Sequence, residues 1–189
     1  MKDAYRIGVF ISSKMGNSNS KYNNARKHLN HLLDQNVMIR VNIVDEIGAS
    51  NDHPMDDALR LLENSHICVF MFDKSEEISK YVIEEHNFAK ENEIVRLYYF
   101  CKADADTHST VTTLLNELQA DDRNDARNGR LYATEDCFAD IVFKAYTNVL
   151  EEIAKGYSDI RKQAKIEKMK RPLSLAGANE TSIAVLGGA

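Results

Sequence analysis

Two kinds of hydrophobic segment alternate along this chain of 189 residues. Short runs rich in β-branched and aromatic residues predict strands, and longer stretches with apolar positions three or four residues apart predict helices. The predicted strands are Arg6–Ser12, Val37–Val44, His66–Phe72, Ile94–Cys101 and Arg130–Thr134. The predicted helices between them are Tyr22–Leu33, Pro54–Glu63, Ile78–Glu91 and Thr110–Gln119. This alternation is typical of βαβ units.

The segment His66–Phe72 is apolar at almost every position, as expected for a strand of a parallel sheet that helices cover on both faces. Five such strands predict an α/β fold of the flavodoxin-like, doubly wound type, with strand order 2-1-3-4-5 and a parallel sheet. Ligands of these folds bind at the carboxyl ends of the strands, near the switch point between strands 1 and 3. We therefore expect a site at the loops Ser12–Ser20 and Asp73–Ile78.

The helical pattern that begins at Asp136 continues much further than in the other helices. We interpret residues 1–135 as the α/β domain, 136–171 as a long C-terminal helix whose first part packs on the domain, and 172–189 as a linker or tail. The end of this helix, Arg161–Arg171, is basic. It is either a solvated helix end or a contact for nucleic acid or a protein partner.

Composition narrows the class of protein. The net charge of -5 argues against a general nucleic-acid binder, which usually has a strongly basic face. The three cysteines, Cys68, Cys101 and Cys137, are widely spaced and predict neither disulfides nor a zinc site. The first residues lack the apolar core of a signal peptide, and no apolar run approaches the roughly 18 residues of a membrane span. We expect a cytoplasmic protein with no membrane segment and no bound metal.

One polar residue interrupts the apolar side of the helix Ile78–Glu91. The positions on this side are spaced four, three and four residues apart, and they are Ile78, Val82, Glu85 and Ala89. Because burying an unpaired carboxylate is costly, such a residue has a basic partner, reaches water from the helix edge or serves a function. The neighbours Glu84 and His86 lie about 100° to either side, on flanks that we expect to reach water.

The predicted loop Ser12–Ser20 contains hydroxyls, amides, an ammonium group and a glycine. We expect it at the carboxyl ends of the strands, where the helix Ile78–Glu91 also begins. Such groups suit a phosphate or a ribose, although a polar surface loop has the same composition. The loop matches neither the P-loop pattern nor GxGxxG, which argues against hydrolysis of a nucleoside triphosphate and against a Rossmann oxidoreductase.

The segments Val9–Ser13, His66–Phe72 and Ser79–Ala89 resemble the first strand, the third strand and the catalytic helix of the Toll/interleukin-1 receptor-like (TIR-like) domains, especially those of bacterial defence and signalling proteins. In that family an aromatic residue, usually Trp, lies four positions before the catalytic glutamate and a small residue lies four positions after it. Tyr81 and Ala89 occupy those positions here. The stretch 45–53 differs from the loop through which TIR domains pack together. The nucleoside 2-deoxyribosyltransferases, which have a related fold, also carry a nucleophilic glutamate on this helix.

Both resemblances imply chemistry at the anomeric carbon of a ribosyl group, with Glu85 as the nucleophile or electrostatic stabiliser. Five further residues are assigned to substrate binding: Ser12, Ser13 and Lys14 on phosphate or ribose, Tyr81 on a base, and Asp73 on a ribose hydroxyl. The TIR resemblance implies an NAD glycohydrolase, for which NAD is a substrate and not a cofactor. It further implies an effector domain that self-associates, within a longer protein of signalling or antiphage defence.

Two alternatives remain open from the sequence. One is a non-catalytic TIR-like module that only self-associates or recruits a partner. The other is a nucleoside or nucleotide N-glycosidase or a deoxyribosyltransferase.

Overall fold

The fold is given by a computed structural model that describes residues 6–15, 20–44, 54–101, 106–124 and 130–170. The elements are β1 Ile7–Ser13, α1 Lys21–Asp34, β2 Ile39–Asn42, α2 Pro54–Glu63, β3 Ile67–Asp73, α3 Lys80–Glu91, β4 Val95–Cys101, α4 Ser109–Asn124, β5 Arg130–Glu135 and α5 Phe138–Lys170. Residues 16–19 of the predicted loop, the stretch 45–53, Arg171 and the predicted tail 172–189 lie outside the described residues.

The strands form one parallel sheet in the order β2-β1-β3-β4-β5. This order confirms the predicted flavodoxin-like α/β fold with a long C-terminal helix. β1 pairs with β2 on one side and with β3 on the other, so the chain reverses its direction of winding at β1. At the pair of β1 with β3, Ser12 is opposite Phe70 and Ser13 is opposite Met71. The switch point predicted from the strand order is therefore formed by the carboxyl ends of β1 and β3.

Two hydrophobic clusters, one on each face of the sheet, bury alternate residues of the strands. On one face Val9, Val69 and Leu97 pack with α1 and with the first turns of α5. On the other face Phe10, Phe70 and Tyr98 pack with α2, α3 and α4. Because both faces are covered, β3 is buried along its whole length. This agrees with its nearly continuous apolar sequence.

The second strand and the third helix begin later than the sequence predicts. Val37 is 78% exposed and precedes β2, which is shorter than the predicted strand Val37–Val44. The helix predicted from Ile78 begins at Lys80, because the Ser79 hydroxyl caps it by accepting a hydrogen bond from the Val82 amide at 3.3 Å. N-capping by serine satisfies an amide that has no partner within the helix.

The chain divides into two compact units, residues 1–153 and 154–189. The first unit contains the whole sheet, the helices α1–α4 and the first part of α5. In the second unit the described residues, 154–170, are helical. No helix in the described ranges combines the length and the hydrophobicity needed to cross a bilayer.

Candidate functional site

A cleft of about 210 Å³ opens at the carboxyl end of β1, between α2 and α3. Most of its wall is hydrocarbon, supplied by Ile11, Ile43, Val44, Met55, Ala58 and Val82. Its polar groups are few and come from Ser12, Ser13, Arg26, Ser79 and Glu85. A mostly apolar cleft with a few convergent polar groups is the usual form of a small-molecule site.

Glu85 lies in this cleft and is only 7% exposed. Its Oε2 atom accepts a hydrogen bond from the Ser12 hydroxyl at 2.5 Å. Burial raises the pKa of Glu85 from 4.5 to about 7, although the Ser12 hydrogen bond and the charge of Arg26 both oppose this rise. The side chain is therefore divided between its acid and carboxylate forms at neutral pH, as is typical of groups that exchange protons in active sites.

The buried side of α3 is as predicted: Ile78, Val82, Glu85 and Ala89 are all buried. Ser12 was predicted at the junction of the first strand and the loop, and Ser13 in the loop; in the structure β1 continues to Ser13, and both residues are buried. Both residues line the cleft. The Ser12 hydroxyl is bonded to Glu85 and so contributes directly to the geometry of the carboxylate.

Arg26 of α1 is a residue of the cleft that the sequence interpretation missed. It is 3% exposed, and its Nη1 contacts the carbonyl and the hydroxyl of Ser13 at 3.4 and 3.2 Å. Its Nη2 donates to the side chain of Asn23. A signal was present in the sequence, because Arg26 lies four positions after Tyr22 and three before Leu29, on the predicted apolar side of this helix.

Lys14 and Asp73 lie in a neighbouring group of ion pairs and do not line the Glu85 cleft. Lys14 binds Glu76 at 2.9 Å, and Lys21 bridges Glu76 at 2.7 Å and Asp73. Burial alone would raise the pKa of Asp73, but hydrogen bonds from Lys21 and from Ser75 lower it below its usual value. This group joins the end of β3 to the start of α1.

Tyr81 stands at the rim of the cleft and is 41% exposed. The Lys80 ammonium lies 5.1 Å from the centroid of its ring. The structure thus brings together Ser12, Ser13, Tyr81 and Glu85, while Lys14 and Asp73 lie beside them.

The prediction that His86 reaches water is wrong, since the side chain is only 5% exposed. Its Nδ1 lies 2.9 Å from the Tyr98 hydroxyl, and its Nε2 lies 3.4 Å from a carboxylate oxygen of Glu117. Burial lowers the pKa of His86, which favours the neutral imidazole. His86 lines a different cleft, of about 90 Å³, between α3 and α4. The consecutive residues Glu85 and His86 therefore face two separate cavities.

Comparison with known proteins adds little to this geometry. No model of a protein family matches the chain, and no curated protein matches it. Among the solved structures, a crystal structure described as a conserved protein from Enterococcus faecalis V583 is similar at 14% identity, with a TM-score of 0.43. That match covers 79% of this chain and 98% of the other. A likeness this distant indicates neither a substrate nor a partner.

Proposed function

We propose that this chain is a TIR-like NAD glycohydrolase that cleaves NAD to nicotinamide and ADP-ribose, or to a cyclic form of ADP-ribose. The observation that supports the proposal is the position of Glu85: a buried carboxyl group, held by Ser12, in a cleft at the switch point of the sheet. The resemblance of Ser79–Ala89 to the catalytic helix of TIR-like domains implies a glutamate at this point.

The proposed chemistry requires only one carboxylate. As the bond between C1′ of the ribose and the nicotinamide nitrogen breaks, its electron pair moves to the nitrogen and positive charge develops on the ribosyl group. An ionised Glu85 beneath C1′ stabilises that charge or forms a covalent bond with the carbon. Water then adds at C1′ and releases a proton, or a group of the same substrate closes a ring. Nicotinamide leaves as a neutral molecule, so no strong acid is needed.

We match parts of the proposed substrate to the lining of the cleft. Its aliphatic walls suit a flat ring, and the exposed face of Tyr81 at the rim suits a second ring by stacking. We assign the diphosphate to Lys14 and Lys21, which lie outside the cleft in the neighbouring group of ion pairs. They are paired with Glu76 and Asp73, so phosphate binding requires an exchange of partners.

The test measures nicotinamide release from NAD by the concentrated, artificially clustered chain, because TIR-type activity commonly depends on self-association. The variant Glu85→Gln should lower the rate by about 100-fold or more, the scale of losing one electrostatic stabiliser. Glu84→Gln is the matched control, since Glu84 is exposed on the same helix; it should leave the rate unchanged at about pH 9, where Glu85 is ionised with or without the charge of Glu84. If the folded, clustered wild type releases no nicotinamide, the NAD proposal is wrong, and the non-catalytic module or a nucleoside substrate becomes the better account.

One observation favours a second candidate, a nucleoside N-glycosidase or deoxyribosyltransferase. Arg26 is the only cationic residue in the lining of the cleft as described, and it is buried against Ser13 and Asn23. A substrate without phosphates fits such a cleft without any exchange of ion pairs. Purine and pyrimidine nucleosides assayed beside NAD, with and without a free base as acceptor, separate the two candidates.

The proposed setting is an effector domain of a signalling or antiphage defence protein that acts as a homo-oligomer. Measuring the rate per chain against concentration tests the oligomer. A rate per chain that does not change with clustering contradicts it.

A further inference from the structure

Among the described residues, Arg26 and Arg96 are buried arginines, with 3% and 4% exposed. Burying a guanidinium is costly unless its position supplies compensating interactions. Arg96 of β4 donates to the carbonyl of Ala89 at 3.0 Å and is not part of the Glu85 cleft. Arg26 lines that cleft together with Glu85. The two residues have the same chemistry and burial but different positions relative to the carboxylate.

Two consecutive serines connect Arg26 to Glu85. Arg26 Nη1 contacts both the carbonyl and the hydroxyl of Ser13, and the preceding Ser12 donates to Glu85 at 2.5 Å. Because Ser12 and Ser13 share a peptide group, the contacts that fix Ser13 also restrict Ser12. The end of β1 is therefore hydrogen-bonded to Arg26 through Ser13 and to Glu85 through Ser12.

We propose that Arg26 is a positioning residue of the site: it holds the end of β1 so that Ser12 can bind Glu85, and its buried charge favours the carboxylate form of Glu85 over the acid form. The inference rests on the proposed role of Glu85 as the catalytic carboxylate. Arg26 acts through Glu85 and Ser12 and does not need to touch the substrate.

The electrostatic part depends on the groups around the carboxylate. Burial raises the pKa of Glu85, the charge of Arg26 on α1 opposes the rise, and Glu84 on the same helix adds to it. On β3, burial and the charge of Glu85 raise the pKa of the Cys68 thiol, and the charge of Arg96 lowers it. α2 presents Met55 and Ala58 to the cleft, and its buried Asp57 is paired with Arg60 at 2.7 Å. Among these groups, Arg26 is the cation that acts on Glu85.

The experiment titrates Glu85 directly by NMR of side-chain carboxyl carbons in the full chain, with Glu85→Gln used to assign the signal. Arg26→Gln and Arg26→Lys have similar size but differ in charge, and Arg96→Gln is the matched control. We expect the midpoint of Glu85 to rise by about one pH unit in Arg26→Gln, as for the loss of a nearby opposite charge. It should remain close to the wild-type midpoint in Arg26→Lys and in Arg96→Gln.

A second measurement needs no substitution at Arg26. In the wild type, the guanidinium nitrogen signals of Arg26 should shift with the midpoint of Glu85, and those of Arg96 should not. If Arg26→Gln titrates like the wild type, or if the Arg26 signals do not follow Glu85, the inference is overturned. Neither measurement uses NAD, so a chain that fails to cleave NAD can still support the role of Arg26. A chain that cleaves NAD can likewise refute it.

Discussion

Replacing Glu85 by Gln should stabilise the fold, and the gain should grow with pH. The carboxyl group has a pKa of about 7 in the folded chain against 4.5 for an ordinary glutamate. A raised pKa means that folding favours the acid form, so the contribution of Glu85 to stability is full below about pH 4.5 and is lost as pH rises through about 7. The difference between these two pKa values corresponds to about 3 kcal/mol at pH 8. Gln is neutral throughout and avoids this loss.

The assay is urea unfolding of the wild type and of Glu85→Gln at about pH 4 and about pH 8, with the free energy of unfolding extrapolated to water. Far-ultraviolet circular dichroism is the suitable signal, because the chain contains no Trp. Taking the difference between the two proteins cancels the titration of the other groups. Glu84→Gln is the control: Glu84 is exposed, so its substitution should change the free energy of unfolding by less than about 0.5 kcal/mol at about pH 4, and at about pH 8 it should have a much smaller effect than Glu85→Gln because it removes only the repulsion between the two carboxylates.

The refuting result is a difference between Glu85→Gln and the wild type that is the same at both pH values. It would mean that Glu85 ionises in the folded chain as it does in water, and that the cleft does not disfavour the carboxylate form. If Glu85→Gln gains about 3 kcal/mol in the free energy of unfolding at high pH and also loses nicotinamide release, then the ionised Glu85 lowers the stability of the chain and is required for its activity.

Three further outcomes are expected. Nicotinamide release should rise with pH through about 7, because the reaction needs the ionised Glu85. A pH-rate profile measures this rise, and a rate that stays constant from about pH 6 to 8 contradicts it. Ser12→Ala removes a hydrogen bond that lowers the pKa of Glu85, so the same profile should move to higher pH, and an unmoved midpoint argues against the role of Ser12. Gly8→Ala places a Cβ 2.5 Å from the carbonyl oxygen of Asn64 and should destabilise the chain by about 1–3 kcal/mol in urea unfolding. The control Gly156→Ala has open space around it and should increase helicity, so a loss of stability in both variants would contradict the steric explanation.

The strands, the helices and the position of the candidate cleft follow from features that the sequence carries locally and from a general rule for parallel sheets. A strand such as β3, buried on both faces, needs apolar residues at every position, and helices such as α3 need them at three- and four-residue spacings. A carboxylate within such a helical stripe is visible without a structure, and Glu85 is indeed buried. Its place beside β1 follows from the topological rule for parallel sheets.

Other parts of the site depend on contacts distant in sequence, which periodicity does not reveal. Burial of His86 depends on Tyr98 and Glu117, which belong to β4 and α4. The separation of Lys14 and Asp73 from the cleft depends on Glu76 and Lys21, whose pairing is set by side-chain reach. Arg26 was overlooked because a charged residue among apolar neighbours is easily assigned to the solvent side of a helix, and only its contacts with Ser13 show otherwise.

The order of residues in α3 affects how the chain tolerates changes of length. A residue inserted between Val82 and Glu84 would turn the rest of the helix by about 100° and bring Glu84 to the place of Glu85. The cleft would keep a carboxylate, although Phe88 would replace the buried Ala89 in the core. A deletion at the same point would instead bring the imidazole of His86 into the cleft. The pair of adjacent glutamates therefore protects the carboxylate against an insertion, whereas a deletion removes it.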